Sequence, residues 1–227
     1  MKTFQDFIQE GVNDPGIFKA FYTAGGPGSG KSYVARESGA GKISPYGLKV
    51  IDSDPLFTKM LKDVGKTTTV ADIYSDEGQA IRDRAKALIA KQEKNYMEGR
   101  LGMLIDGTGK DYNKIKNSSD KLRKIGYDTY MIFVNTSLDV ALQRNEARTR
   151  SLDEDEVKKM WNAVQKNMGK FQSYFGRSNF LLVDNNSAGE DIFTKVFVEI
   201  GKLIDKKPTN RAATAWIKNQ HAINRRG

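Results

Sequence analysis

Gly25-Gly26-Pro27-Gly28-Ser29-Gly30-Lys31-Ser32 fills every fixed position of the phosphate-binding pattern GxxxxGK[ST]. The glycines let the backbone turn tightly enough for several N–H groups to face the phosphate oxygens, and the helix that follows presents its positive end to the same point. In this pattern Lys31 reaches the β- and γ-phosphates and Ser32 offers its hydroxyl to Mg²⁺. The stretch therefore predicts a nucleoside triphosphate site, with nucleotide contacts running from Gly25 through Tyr33.

The flanks agree with the motif. Ile17 to Thr23 is apolar and β-prone, and Ser32 to Glu37 has helical character that ends at Gly39 and Gly41; strand, loop and helix is the order the motif requires. Gly65-Lys66-Thr67 carries the same Gly-Lys-Thr ending, but Met60 stands where the first glycine belongs, so it reads as a loop.

Further along, Leu48 to Asp52, Leu101 to Asp106, Thr129 to Asn135 and Phe180 to Asp184 read as four more short apolar strands, with helical stretches between them. Alternation of this kind predicts a parallel α/β sheet, and ligands of such sheets bind at the carboxyl ends of the strands. Long helical periods cover Glu77 to Met97 and Ser119 to Ile125. A capping-box pattern at Ser151 to Glu154 precedes Val157, Met160, Trp161, Val164 and Met168, which read as core. The last helix of the domain opens at Ser187 to Glu190 and stops before Pro208. The expected organisation is an amphipathic extension over 1–17 (Phe4, Phe7, Ile8), one domain over 18–206, and a basic, solvated tail over 207–227.

Composition narrows the chemistry. The 227 residues include no cysteine and a single histidine, His221. Thiolate nucleophiles, His-based triads and multi-histidine metal sites are therefore excluded, and a general base must be Asp, Glu, Lys or Tyr. No apolar run is long enough to span a membrane and no signal-peptide pattern opens the chain, which predicts a cytoplasmic protein without a membrane partner. The net charge of +9 favours polyanionic company, nucleotide or nucleic acid. Lys207, Arg211, Lys218, Arg225 and Arg226 give the tail a share of that charge.

Candidate chemistry gathers at the strand ends. Asp52 and Asp54 follow the second strand two residues apart, so in an extended chain they share a face. A carboxylate there accepts the proton of an attacking hydroxyl; Asp54 is the expected base and Asp52 the next choice, while Asp before Pro55 is also a common helix start. Asp106, closing the third strand, is expected to hold Mg²⁺ directly or through water, with Thr108 beside it on the acceptor side. Arg144 and Arg148 lie one helical turn apart, with Arg150 close behind. The three form a cluster that would close over the triphosphate as a lid, or remain a solvated basic face.

Together, Gly25 to Ser32, Val50 to Asp54, Leu104 to Thr108, Lys124 to Tyr127 and the Arg144 to Arg150 helix resemble the P-loop kinases of the zeta-toxin-like and polynucleotide-kinase-like group, which includes many phage-encoded members. The resemblance covers about residues 18 to 206. It implies a three-layer P-loop NTPase fold with a five-stranded parallel sheet in the order 2-3-1-4-5 and helices on both faces. It also implies ATP with Mg²⁺ as donor, Asp54 as the base and Arg144 or Arg148 as the lid. The leading expectation is a kinase for a hydroxyl on a nucleoside, nucleotide-sugar or related small molecule. A kinase of nucleic acid, at a 5′-hydroxyl or a base-borne hydroxyl, is the rival within the same chemistry. An NTP-binding structural or regulatory protein is the rival outside it. The stretch Lys59 to Asp76, where acceptor contacts are due, carries no recognisable pattern.

Overall fold

The computed structural model describes residues 12–33, 47–147, 151–187 and 190–224. Five strands form one parallel sheet in the order β2-β3-β1-β4-β5: β1 Lys19–Ala24, β2 Lys49–Ile51, β3 Met103–Ile105, β4 Asp128–Asn135 and β5 Phe180–Asp184. The expected order is the observed one. The register pairs Phe21 with Leu104 and Tyr130 across the central strands. β2 and β3 are shorter than their apolar runs, because Leu48, Leu101 and Gly102 enter the sheet through loops.

The helices are α1 Asp54–Asp63, α2 Val70–Tyr74, α3 Asp76–Glu98, α4 Tyr112–Lys124, α5 Leu138–Glu146, α6 Glu154–Phe175, α7 Glu190–Ile204 and α8 Arg211–Asn224. Side chains of β1 alternate between two cores, as a strand covered on both faces requires. Ala20, Tyr22 and Ala24 join Met103, Met131 and Phe133 against Ile115 and Leu122 of α4, and Val164, Phe171 and Phe175 of α6. Phe21 joins Leu104, Ile132 and Val134 against Val196, Ile200 and Leu203 of α7. A smaller cluster, Phe57, Leu61, Ile73 and Ala85, ties α1 and α2 to α3. At the amino ends of the strands Lys19, 1% exposed, is neutralised by Asp128 at 2.6 Å.

Several local expectations change. α4 begins at Tyr112, well before Ser119, because Asp111 caps it by accepting from the Lys114 N–H; the opening turns are too polar to show an apolar period. α6 is capped by Asp153, which accepts from the Asp155 N–H, so Ser151 is not the cap. Residues 211–224, expected as a solvated tail, form α8, in which Ala213 is fully buried and Trp216 meets Phe18 edge-on with centroids 5.5 Å apart. The apolar positions of residues 211–224 are mostly alanines, so packing of Ala213, Trp216 and Ile217 docks the helix. Gly65 to Thr67 is a loop, as expected. No described helix is long and apolar enough to cross a membrane. The amphipathic segment at Phe4, Phe7 and Ile8, the stretch from Val34 to Tyr46, Arg148, Arg150, Arg225 and Arg226 lie outside the described residues.

Candidate active site

The phosphate loop leaves the carboxyl end of β1 and is locked from three sides. Gly25 donates its N–H to the Thr108 carbonyl at 3.0 Å. A Cβ on Gly25 would lie 2.4 Å from the Val134 carbonyl oxygen and 2.6 Å from Ser29 Oγ, so only glycine fits. Gly28, at φ +71°, passes close to Ala141 and Arg144 of α5; its left-handed conformation is the one that glycine adopts without a Cβ penalty. Gly26 packs on Trp161 of α6, whose indole Nε1 donates to the Thr136 carbonyl at 2.9 Å. Gly26, Pro27, Gly28 and Ser29 are buried, while Gly30, Lys31 and Tyr33 are half-buried and Ser32 is exposed. Lys31 and Ser32 open the helix that follows. Lys31 Nζ donates to the Gly26 carbonyl at 3.1 Å and lies 3.5 Å from Ser29 Oγ, so its ammonium sits over the turn of the loop.

Asn185, just past β5, fixes the other side. Its Nδ2 donates to the Ser29 carbonyl at 2.8 Å and its backbone N–H to the Asn135 carbonyl. This turns one loop carbonyl away from the phosphate position. From α5, Arg144 donates to the Gly28 carbonyl at 3.2 Å, which places its guanidinium against the loop.

The carboxylates gather beside this loop. Asp106 follows β3, and its Oδ1 accepts from the buried Thr23 hydroxyl at 2.6 Å; the same hydroxyl accepts from the Gly107 N–H. Asp52 follows β2, half-buried, and its Oδ1 accepts the Asp54 N–H at 2.9 Å. Burial pushes the Asp52 carboxyl up to about 6, with the negative charges of Asp106 and Asp54 adding to the rise. Asp54 is exposed, in the first turn of α1 ahead of Pro55. The helix starts at Ser53 without a side-chain cap, so the Asp52 bond to the Asp54 N–H takes over that task.

All three carboxylates line one cleft of about 460 Å³ between the strand ends, α3 and α4. Thr108 lies on its wall, Ile51, Ile89, Ile105 and Ile115 form an apolar lining, and Lys86, Glu93 and Lys114 reach it from the helices. Burial also raises the Glu93 carboxyl, against the pull of Lys121 and Lys114. A cleft of this size takes a small-molecule ligand or one end of a larger one.

The donor set suits Mg²⁺. Ser32 and Asp106 offer hard oxygen ligands, and Thr23 holds one Asp106 oxygen so that the other is the one open to a ligand. Among the described residues no three acidic or histidine side chains cluster as a metal site by themselves. A Mg²⁺ ion here would depend on the phosphates of its nucleotide as well.

Sequence reading found Lys31, Ser32, Asp52, Asp54, Asp106, Thr108 and Arg144, and the fold brings all of them to one end of the sheet. It missed Thr23 and Asn185, which act through hydrogen bonds without a local pattern, and it read Trp161 as core without its contact to Gly26. It also missed Lys86, Glu93 and Lys114. For the first two a signal existed: Lys86, Ile89, Ala90 and Glu93 recur at helical spacing on one face of α3.

The model of the AAA domain matches residues 21–170. Among solved structures, the chain is similar to a candidate kinase from Chloroflexus aurantiacus J-10-fl, 13% identical, over 81% of this chain and 97% of that one, with a TM-score of 0.55. It is similar to a chain of the AvrRxo1-ORF1:ORF2 complex with ATP, 16% identical, over 82% of this chain and 64% of that one, with a TM-score of 0.52. A chain of the PezAT toxin–antitoxin system of Streptococcus pneumoniae, 14% identical, aligns over 88% of this chain and 93% of that one with a TM-score of 0.50. No curated protein matches in sequence. At these identities the structural likeness establishes the fold, a P-loop NTPase fold. With a family match that takes in the phosphate loop, Asp52, Asp54, Asp106 and Arg144, the chain belongs to the AAA domain family.

Proposed function

We propose that the protein is an ATP- and Mg²⁺-dependent kinase that transfers the γ-phosphate to a hydroxyl of an acceptor held in the cleft beside the phosphate loop. The observation that carries this reading is the cleft itself: a phosphate loop that only binds a nucleotide has no need of three carboxylates around an adjoining cavity of about 460 Å³. Within the fold, the motif set favours kinship with the zeta-toxin-like and polynucleotide-kinase-like kinases.

Each group has a role in that transfer. The loop N–H groups and Lys31 hold the triphosphate and draw charge off the γ-phosphoryl group. Ser32 and Asp106 are the residues that would hold Mg²⁺, which would supply further neutralisation of the phosphate oxygens. Arg144, against Gly28, sits on the loop side where charge develops. Asp54, exposed at the mouth of the cleft, is the group an incoming hydroxyl meets, and it accepts the proton as the oxygen attacks phosphorus. Asp52 holds the turn that presents Asp54, so it is a positioning residue. The bond from phosphorus to the β-bridging oxygen breaks as the new P–O bond forms, and ADP leaves with that oxygen.

The test is to incubate the protein with γ-labelled ATP, Mg²⁺, a panel of nucleosides, nucleotide-sugars and 5′-hydroxyl oligonucleotides, and a small-molecule cell extract. Label should move from ATP to an acceptor. If ATP binds tightly and no acceptor is labelled, the reading of the chain as a nucleotide-binding regulatory or structural protein replaces this one.

A further inference from the structure

The catalytic cleft does not end at Glu93. A second cavity of about 490 Å³ continues from it between α3 and α4, and the two share Ala90, Glu93, Lys114 and Ser118 as common walls. The helices supply the continuation by periodicity. Ala90, Glu93, Lys94 and Met97 face it from α3, and Lys114, Asn117, Ser118 and Lys121 face it from α4. Lys114 and Lys121 are two turns apart, about 10 Å along α4 at 1.5 Å per residue, and Lys121 lies about one turn beyond Ser118, the furthest α4 wall that the two cavities share.

The charge in this lower half is one-sided. Lys94, Lys114 and Lys121 face it against the single carboxyl of Glu93. Lys94 has its own neighbour, Glu98, at 4.0 Å. Lys114 and Lys121 have no ion pair within 4.0 Å among the described residues, and both are exposed. Two ammonium groups on one bank of a trench, with an apolar floor at Met97 and Leu122, suit a ligand that carries anionic groups on a partly apolar frame. No aromatic side chain lines the lower half, so it has no platform on which to stack a base. The recognition it offers is of charge.

We propose that the groove between α3 and α4 is an anion subsite that holds a phosphate of the ligand at the α3–α4 end of the catalytic cavity, through Lys114 and Lys121. Its role as the far end of an acceptor rests on the kinase reading above; its binding of phosphate does not. The phosphate belongs either to a phosphorylated small molecule or to the backbone of a nucleic-acid strand, and both present the same oxyanion to the lysines.

Binding is measured on the full chain with Mg²⁺ and a non-hydrolysable ATP analogue in place, so that the phosphate loop is filled. The probes are inorganic tripolyphosphate, followed by calorimetry, and a short fluorescein-labelled single-stranded oligonucleotide, followed by anisotropy. The double variant Lys114→Glu/Lys121→Glu should weaken binding of the effective probe about tenfold or more, and the gentler Lys114→Gln/Lys121→Gln should lower the salt slope for the strand by about 0.7, one single-strand phosphate contact. Lys195→Glu/Lys202→Glu, on α7 across the sheet, should leave binding unchanged. Loss confined to the oligonucleotide assigns the phosphate to a strand; loss with tripolyphosphate at comparable affinity assigns it to a small phosphate ester. The inference is overturned if neither probe binds, if both α4 variants bind as the wild type does, or if the α7 control weakens binding equally. Phosphate binding that depends on Lys114 and Lys121 in a protein that transfers no label would leave the subsite standing and sink the kinase reading alone.

Discussion

The two halves of the proposed site, a donor side at the phosphate loop and an acceptor side at the adjoining cleft, are built on different terms. The donor side is a single run of backbone, Gly25 to Ser32, its Gly25 to Ser29 part buried against α5 and α6 and tied by hydrogen bonds to Thr108 and Asn185. Its geometry admits few substitutions, since a side chain on Gly25 would strike the Val134 carbonyl. The acceptor side is assembled from side chains on β2, β3, α1, α3 and α4, with Lys86, Asp54 and Lys114 all exposed. Backbone-built sites tolerate little change and serve a ligand that does not vary. Side-chain-built sites change one residue at a time and let one fold take many acceptors.

That contrast can be broken most sharply on the donor side. Lys31→Ala should cost on the order of 10³-fold or more in transfer and weaken ATP binding, read by steady-state kinetics and calorimetry; turnover near the wild-type rate would remove the loop from the chemistry. On the acceptor side, Asp54→Asn should lose on the order of 10² to 10⁴ in rate. A greater loss in Asp52→Asn would exchange the two roles.

Asp52 gives a pH signature of its own. Its carboxyl, near 6 in the fold and near 3.9 unfolded, binds more proton in the folded state between those values. Stability therefore falls as pH rises through that window, and above it the fold carries the full cost of the buried charge. Asp52→Asn should melt higher than the wild type at neutral pH, with the difference fading towards pH 4. If ionised Asp52 holds the Asp54 turn, wild-type activity should also decline as pH drops through about 6, a decline that Asp52→Asn lacks. A wild type and variant with matching melting and activity profiles would show Asp52 to be an ordinary surface acid.

The smallest effect is expected at the clamp. Asn185→Ala removes the bond to Ser29 and should cost about 1 to 3 kcal/mol in stability, read by denaturant unfolding, with a several-fold rise in the KM for ATP and little change in the acceptor KM. Equal change in both KM values would mean that the two sides are not separable.

The same difference explains what could be read in the sequence. The phosphate loop was legible because tight turns and close backbone approach dictate glycine, and a parallel sheet followed from short apolar strands with helices between them, while its strand order came from the family resemblance. Asp52, Asp54 and Asp106 were legible because strand ends carry them to one edge. Lys114 was not, because α4 opens with polar turns that hide its helical period, and no spacing links it to Lys86 or Glu93 until the sheet brings α3 and α4 together. Thr23 and Asn185 act by hydrogen bonds to Asp106 and Ser29, 83 and 156 residues away. The docking of α8 rests on Ala213, Trp216 and Ile217, too short an apolar face to stand out from a basic tail.

The central claim is that donor and acceptor sides meet at Asp54. Its most direct test measures ATP affinity and γ-phosphate transfer side by side in the wild type and Asp54→Asn. The account predicts matching ATP dissociation constants and a transfer rate lower by on the order of 10² to 10⁴ in the variant. Equal transfer rates, or a loss of ATP binding in step with the loss of transfer, would contradict it.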